Sequence, residues 1–182
     1  MKFALAIVEL CCPAPLKRRI LRDLFSATAR AFGVEPPPTG GLSHDRLLTA
    51  YAHFTKAESE RLWAENGDER EIERRLFENA RVLGATLRRK FHVRSHDEVI
   101  RLSRVLYKIL GIDFEGRLDG KVTIRQCAFS KHYTGRVCRL ISALDTGAAS
   151  GLSGGGRLEF SERITEGRNC CLASLTFPEG AS

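Results

Sequence analysis

The sequence predicts an α+β protein: a helical N-terminal half, then an antiparallel sheet of two hairpins packed by a helix. Three observations carry this. Apolar residues recur at helical spacing from Leu16 to Ile109. After Gly111 they give way to short β-branched runs bounded by turn residues, interrupted by a single helical pattern. Hydrophobic residues make up 43% of 182 residues, enough for a globular core.

Pro13 and Pro15 open the first helix, where a missing N–H costs little. Leu16, Ile20, Leu24 and Ala31 recur along it, with Leu21, Phe25 and Phe32 beside them, and Gly33 ends it. The stretch EPPPTGG cannot continue a helix and reads as a stiff linker. Ser43 is the expected N-cap of a second helix using Leu47, Tyr51, Phe54 and Leu62, broken at Asn66-Gly67. A third helix buries Ile72, Leu76, Ala80, Leu83, Leu87 and Phe91 and turns arginines and glutamates to solvent. Ser95-His96-Asp97-Glu98 is a capping box for a fourth helix through Leu102, Leu106 and Ile109. His92 and His96 are four apart, but the cap between them breaks the helix and argues against a metal there.

The first hairpin is IDFEGRLDGKVTIRQCAF, with its turn at Asp119-Gly120. A fifth helix is expected from about Tyr133 to Ala149, with Val137, Ile141, Leu144 and Ala148 on one face. GLSGGG is a flexible connector, and RLEFSERI and CCLASLTF flank the turn TEGRN as the second hairpin. Residues 1–41 thus read as an N-terminal helix and proline-rich linker, and 42–182 as a ligand-binding or catalytic α+β unit, together one compact body.

The formal net charge of +7 favours acidic partners, but 29 basic residues are dispersed among 22 acids without a basic tail, so nucleic acid is not expected. No run approaches the roughly 18 apolar residues of a membrane span. Glu9 interrupts the apolar N-terminus and no small-residue cleavage site follows, so a cytoplasmic protein with six free thiols is expected. The adjacent pairs Cys11-Cys12 and Cys170-Cys171 lack the two-residue gap of zinc knuckles, and no metal or cofactor is called for.

Chemistry concentrates in RQCAFSKHYTGRVC. Cys127 sits at a strand end before a helix whose N-terminus favours an anion, with Lys131 and His132 close in sequence. A thiolate beside a base is the unit of nucleophilic catalysis; a buried structural cysteine is the alternative. Cys138 and Asp145 are two turns apart on one helix and share a face. Arg163 would hold a carboxylate if it faced inward, but strand alternation places it opposite Phe160, Glu162 and Ile164.

The stretch CAFSKHYTGRVCRLISALD, a glycine-containing connector and LEFSERITEGRNCCLASL resemble the L-2-aminothiazoline-4-carboxylic acid hydrolase family and the 4-vinyl reductase domains. The match rests on Cys127, Cys138, Asp145, Arg163, Thr165, Gly167 and Cys171, and covers about the last third of the chain. The Cys138–Asp145 spacing is longer than the family's, and the segment from Arg163 to Gly167 is closer to the vinyl-reductase form. The zinc-ligand positions of some sensor domains of that type fall on Phe160 and Arg163, so that zinc site is not implied. The resemblance implies a hydrolase acting on a cyclic amidine-type C–N bond. Joined with the local pattern around Cys127, the leading reading makes Cys127 the nucleophile or main thiol contact, His132 its base, Asp145 an orienting or proton-carrying carboxylate and Arg163 a carboxylate anchor, while Thr165, Cys138 and Cys171 complete the substrate site. Its alternative is a non-catalytic sensor or carrier for an apolar or tetrapyrrole-like small molecule. A small molecule carrying a carboxylate is the expected partner, and a homo-oligomer is compatible with either reading.

Overall fold

A computed structural model describes residues 11–178 together with Leu5, Val8 and Glu9. The rest of the apolar N-terminus lies outside the described residues. The architecture is α+β, with the helices largely in the N-terminal half and a four-stranded antiparallel sheet of order β1-β2-β4-β3.

Helix α1 (Ala14–Phe32) starts behind Pro13 and stops at Gly33, which takes the left-handed conformation at φ 73°. Helix α2 (His44–Ala64) is capped by Ser43, whose hydroxyl accepts from Arg46 N–H at 3.3 Å. Helix α3 (Glu69–Phe91) buries Ile72, Leu76, Ala80, Leu87 and Phe91, while Arg74, Arg75 and Arg81 pair with Glu71 and Glu78 on its outer face. His92 caps the end of α3 and His96 begins α4 (His96–Ile109), whose Ser95–Glu98 capping box is complete. The two histidines therefore lie on different helices.

Strands β1 (Ile112–Gly116) and β2 (Lys121–Cys127) form the first hairpin; β3 (Arg157–Glu162) and β4 (Cys171–Thr176) form the second, joined through the β2–β4 pairing. Burial alternates along the strands except at the irregular end of β2, so the sheet has one covered face and one open face. The expected fifth helix is two: α5 (Gly135–Ile141), capped by Thr134, and α6 (Ala143–Ser153). The break falls at Ser142, whose hydroxyl donates to the Arg139 carbonyl at 2.7 Å; such local side-chain bonding bends helices. An apolar pattern cannot register this break, because Val137, Ile141 and Leu144 stay buried on both sides of it.

Helix α6 lies directly on α3 through glycines. A methyl group at Gly147 would come within 2.2 Å of the Phe77 carbonyl oxygen, one at Gly151 within 2.1 Å of that of Arg81, and one at Gly84 of α3 within 2.5 Å of that of Ala148. Backbones thus meet with no side chains between them. This brings α6, and Asp145 at its start, deep over the covered face of the sheet.

Candidate functional site

Between the inner face of the sheet and helices α3, α4 and α6 lies a cavity of about 160 Å³. Its walls are overwhelmingly apolar, with Leu83, Leu87 and Leu106 from the helices facing Val122, Leu158 and Leu175 from the sheet. At one end the polar side chains gather: Cys127, Cys138, Ser142, Asp145, Arg163 and Cys171. Five of these were expected from sequence, and they come from five different elements or their flanks.

Two β-bulges aim the key side chains inward. Along β2, Asp113 pairs with Gln126 and Phe114 with Ile124, so Arg125 is an extra residue. Along β3, Phe160 pairs with Ala173 and Glu162 with Leu172, so Ser161 is extra. An inserted residue reverses the alternation beyond it. Hence Cys127 lines the same cavity as Val122 and Ile124, and Arg163 the same cavity as Leu158 and Phe160. Plain alternation would put Arg163 on the face opposite Phe160, and the Ser161 bulge brings it to the same side. The guanidinium lies 4.8 Å from the Phe160 ring centroid, over its face. Its Nη2 donates to Ser142 Oγ at 3.1 Å, while its buried Nε has no hydrogen-bond partner.

Asp145 accepts a hydrogen bond from the Tyr107 hydroxyl at 2.9 Å. Burial pushes its carboxyl up to about 6, against the pull of that hydroxyl and of the Arg163 charge. Among the described residues no carboxylate lies within ion-pair distance of Arg163. Asp145 and Arg163 therefore interact across the polar end without closing on each other.

The thiols stay protonated. Cys127 is pushed up to about 12, first by burial and further by the Asp145 charge, although the nearby Phe129 and Ser130 amides pull the other way; the Ser130 N–H itself donates to the Cys127 carbonyl at 3.1 Å. Cys138 and Cys171 are also raised, chiefly by burial. The influences that lower Cys127 come from Phe129 and Ser130 in the turn after β2, not from the expected N-terminus of α5, which begins at Gly135, and burial outweighs them. Ile164 N–H donates to Cys171 Sγ at 3.4 Å. Thr165 is absent from the cavity lining; its buried hydroxyl lies against the Cys138 thiol closely enough to lower its pKa, without a bond of normal geometry.

His132 is not brought to Cys127. It sits at the surface in a separate pocket with His53, Lys56, Glu60 and Lys131, its ring 5.0 Å from that of His53. The tight turn after β2, with Tyr133 N–H bonded to the Phe129 carbonyl, carries Phe129 and Tyr133 inward and His132 out. Lys131 is exposed there too, so neither group serves the thiol.

Sequence reasoning missed the tyrosines. All three in the chain, Tyr51, Tyr107 and Tyr133, line the cavity. Their hydroxyls are held by Thr28 at 3.0 Å, Asp145 at 2.9 Å and Thr55 at 2.5 Å respectively. A signal existed for Tyr107: with Ser103 and Leu106 of α4 and Leu110 at its C-cap it forms a stripe at helical spacing, and all four line the cavity. Among the described residues no three His, Cys, Asp or Glu side chains cluster closely enough to hold a metal ion, and no helix is long and apolar enough to cross a membrane. No protein-family model matches the chain, and no curated protein matches it.

Proposed function

We propose that the protein binds a small apolar molecule carrying one acidic group, as a ligand-binding or carrier domain of the 4-vinyl reductase-like kind. The observation that carries this is Arg163. Its guanidinium lies at the end of an apolar cavity, half satisfied by Ser142, with a buried Nε that no protein atom accepts. Burying such a group unpaired is costly, and a ligand carboxylate would satisfy it while the apolar body fills the space above α3, α4 and the sheet. A polar head and greasy walls are the ordinary make-up of a small-molecule site.

Hydrolysis at Cys127 is the second reading, favoured by the Phe129 and Ser130 amides close to its thiol, which act to lower its pKa. It needs Asp145 rather than His132 to take the thiol proton, and a thiol held up near 12 opposes it. Turnover of a 2-aminothiazoline-4-carboxylate, lost in Cys127→Ala, would establish that reading over the carrier.

The carrier reading is tested with octanoate against octanol by calorimetry on wild type and Arg163→Met. Octanoate should bind, and the variant should lose about tenfold or more of its affinity, as expected for one charge-assisted hydrogen-bonded contact. Equal affinity for octanol and octanoate, or no change in Arg163→Met, would overturn it.

A further inference from the structure

We infer that the cavity takes a monoanionic acid of one aromatic ring or a medium alkyl chain, and that Asp145 gains a proton from solvent as that acid binds. This rests on the carrier reading and deepens it. The size limit comes from the space: an apolar cavity of ~150 Å³ accepts benzene, and this one is about 160 Å³. Rings are provided for by Tyr51, Tyr107, Phe114, Phe129, Tyr133 and Phe160 around the wall.

The proton follows from counting charges. The titratable groups facing Asp145 are Tyr107 of α4, Tyr51 of α2, Cys127 of β2, Cys138 of α5, Cys171 of β4 and Arg163 beyond β3. Burial raises every one of those phenols and thiols, so they stay neutral through physiological pH. Only Arg163 and Asp145 carry charge. Without ligand they are one cation and one anion, neutral together. A ligand carboxylate at the free Arg163 Nε adds a second anion beside the first, and like charges in a low-dielectric site cannot both ionise. One guanidinium balances one anion, so Asp145 accepts a proton and becomes a hydrogen-bond donor to the incoming acid. The balance is RCOO⁻ plus Asp145 carboxylate plus H⁺ giving bound RCOO⁻ beside the Asp145 carboxylic acid. Its carboxyl already lies at about 6 without ligand, and uptake of close to one proton at about pH 7.5 requires the bound acid to lift it by roughly two to three units more.

The experiment is calorimetric titration of the whole chain with octanoate and with 3-phenylpropionate at about pH 7.5, in phosphate and in Tris, whose ionisation enthalpies differ. The expected result is uptake of close to one proton per ligand, and an affinity that falls about tenfold per pH unit above Asp145's ligand-free value. Asp145→Asn should bind the same acids with no proton uptake and a flat pH profile. A carboxyl ¹³C titration of wild-type protein, free and loaded, reads the same protonation should that variant not fold. Binding without proton uptake, with Asp145 ionised in the loaded protein, overturns this inference and leaves the carrier reading standing. Failure of every anionic probe to bind overturns both.

Discussion

Replacing Asp145 by Asn should stabilise the ligand-free protein at neutral and alkaline pH and do little in acid. The carboxyl rises from 3.8 to about 6 on folding, first because the ionised form is removed from water. At 1.36 kcal/mol per unit that rise corresponds to a cost of about 3 kcal/mol for keeping Asp145 ionised in the fold. Relaxation of the surroundings about the charge offsets part of it, so the figure is a ceiling. The folded state holds the proton more tightly than the unfolded chain. Stability is therefore lost as pH climbs from 3.8 to about 6, and the full cost is present above that window. Asn keeps an oxygen to accept from the Tyr107 hydroxyl and never ionises. Wild-type curves alone mix this effect with its opposite, since Glu9, Glu69 and Glu71 are lowered by hydrogen bonds from Arg101, Arg136 and Arg74 and stabilise as pH rises through the acid range. The difference between variant and wild type removes that background. Urea unfolding at about pH 4 and about pH 8 should show the Asn variant gaining roughly 1–3 kcal/mol between the two. A difference that does not change with pH would mean Asp145 is as well solvated in the fold as in the unfolded chain, and the reasoning about the cavity's polar end would fail.

Gly151→Ala should cost about 1–3 kcal/mol, because its methyl would sit 2.1 Å from the Arg81 carbonyl oxygen and only backbone separation relieves that; an unchanged urea midpoint would refute the close approach of α6 to α3. Cys127 should alkylate far more slowly than exposed Cys11 in the native protein. A thiol near 12 has about three orders of magnitude less thiolate at neutral pH than one near 8.5. Labelling of Cys127 at the rate of Cys11 would show an ionised nucleophile and restore the hydrolytic reading.

The helices were legible because each obeys one local rule at a time. Ser43, Asn66-Gly67 and the Ser95–Glu98 box mark ends by their own hydrogen bonds and backbone preferences, and the stripe from Ile72 to Phe91 marks a face. The two hairpins were legible for the same reason. Membership of the site was legible only as a set of residues. Cys127, Cys138, Asp145, Arg163 and Cys171 do converge, but their state was not legible. Burial decides the protonation of Cys127, and burial depends on how far α6 sinks over the sheet, which Gly147 and Gly151 determine through contacts to α3. His132 was misplaced by proximity in sequence, since a tight turn separates it from Cys127 by carrying Phe129 and Tyr133 inward and His132 to the surface. Ser142 was invisible because one hydroxyl both breaks the helix and holds Arg163, and no periodicity encodes either.

The bulge at Ser161 gives an unusual expectation. Deleting a residue inside a strand ordinarily turns every later side chain to the wrong face. Ser161 is exposed, sits between Phe160 and Glu162 without a partner residue of its own on β4, and contributes one hydrogen bond, from its hydroxyl to the Leu172 carbonyl at 3.3 Å. Its removal lets Glu162 follow Phe160 directly in the pairing that both already have with Leu172 and Ala173. The strand becomes regular, Leu158 and Phe160 stay inward, and Arg163 still reaches the cavity. Deletion of Glu159, two residues earlier, removes a paired position instead and must either turn Leu158 outward or shift all that follows. The Ser161 deletion should therefore unfold within about 1 kcal/mol of wild type and keep octanoate affinity within a few-fold, while the Glu159 deletion should lose several kcal/mol with the burial of an inward Leu or Phe. Equal loss in both deletions would show that the bulge does more than set register, and that the inward aim of Arg163 depends on the bulge's own bend.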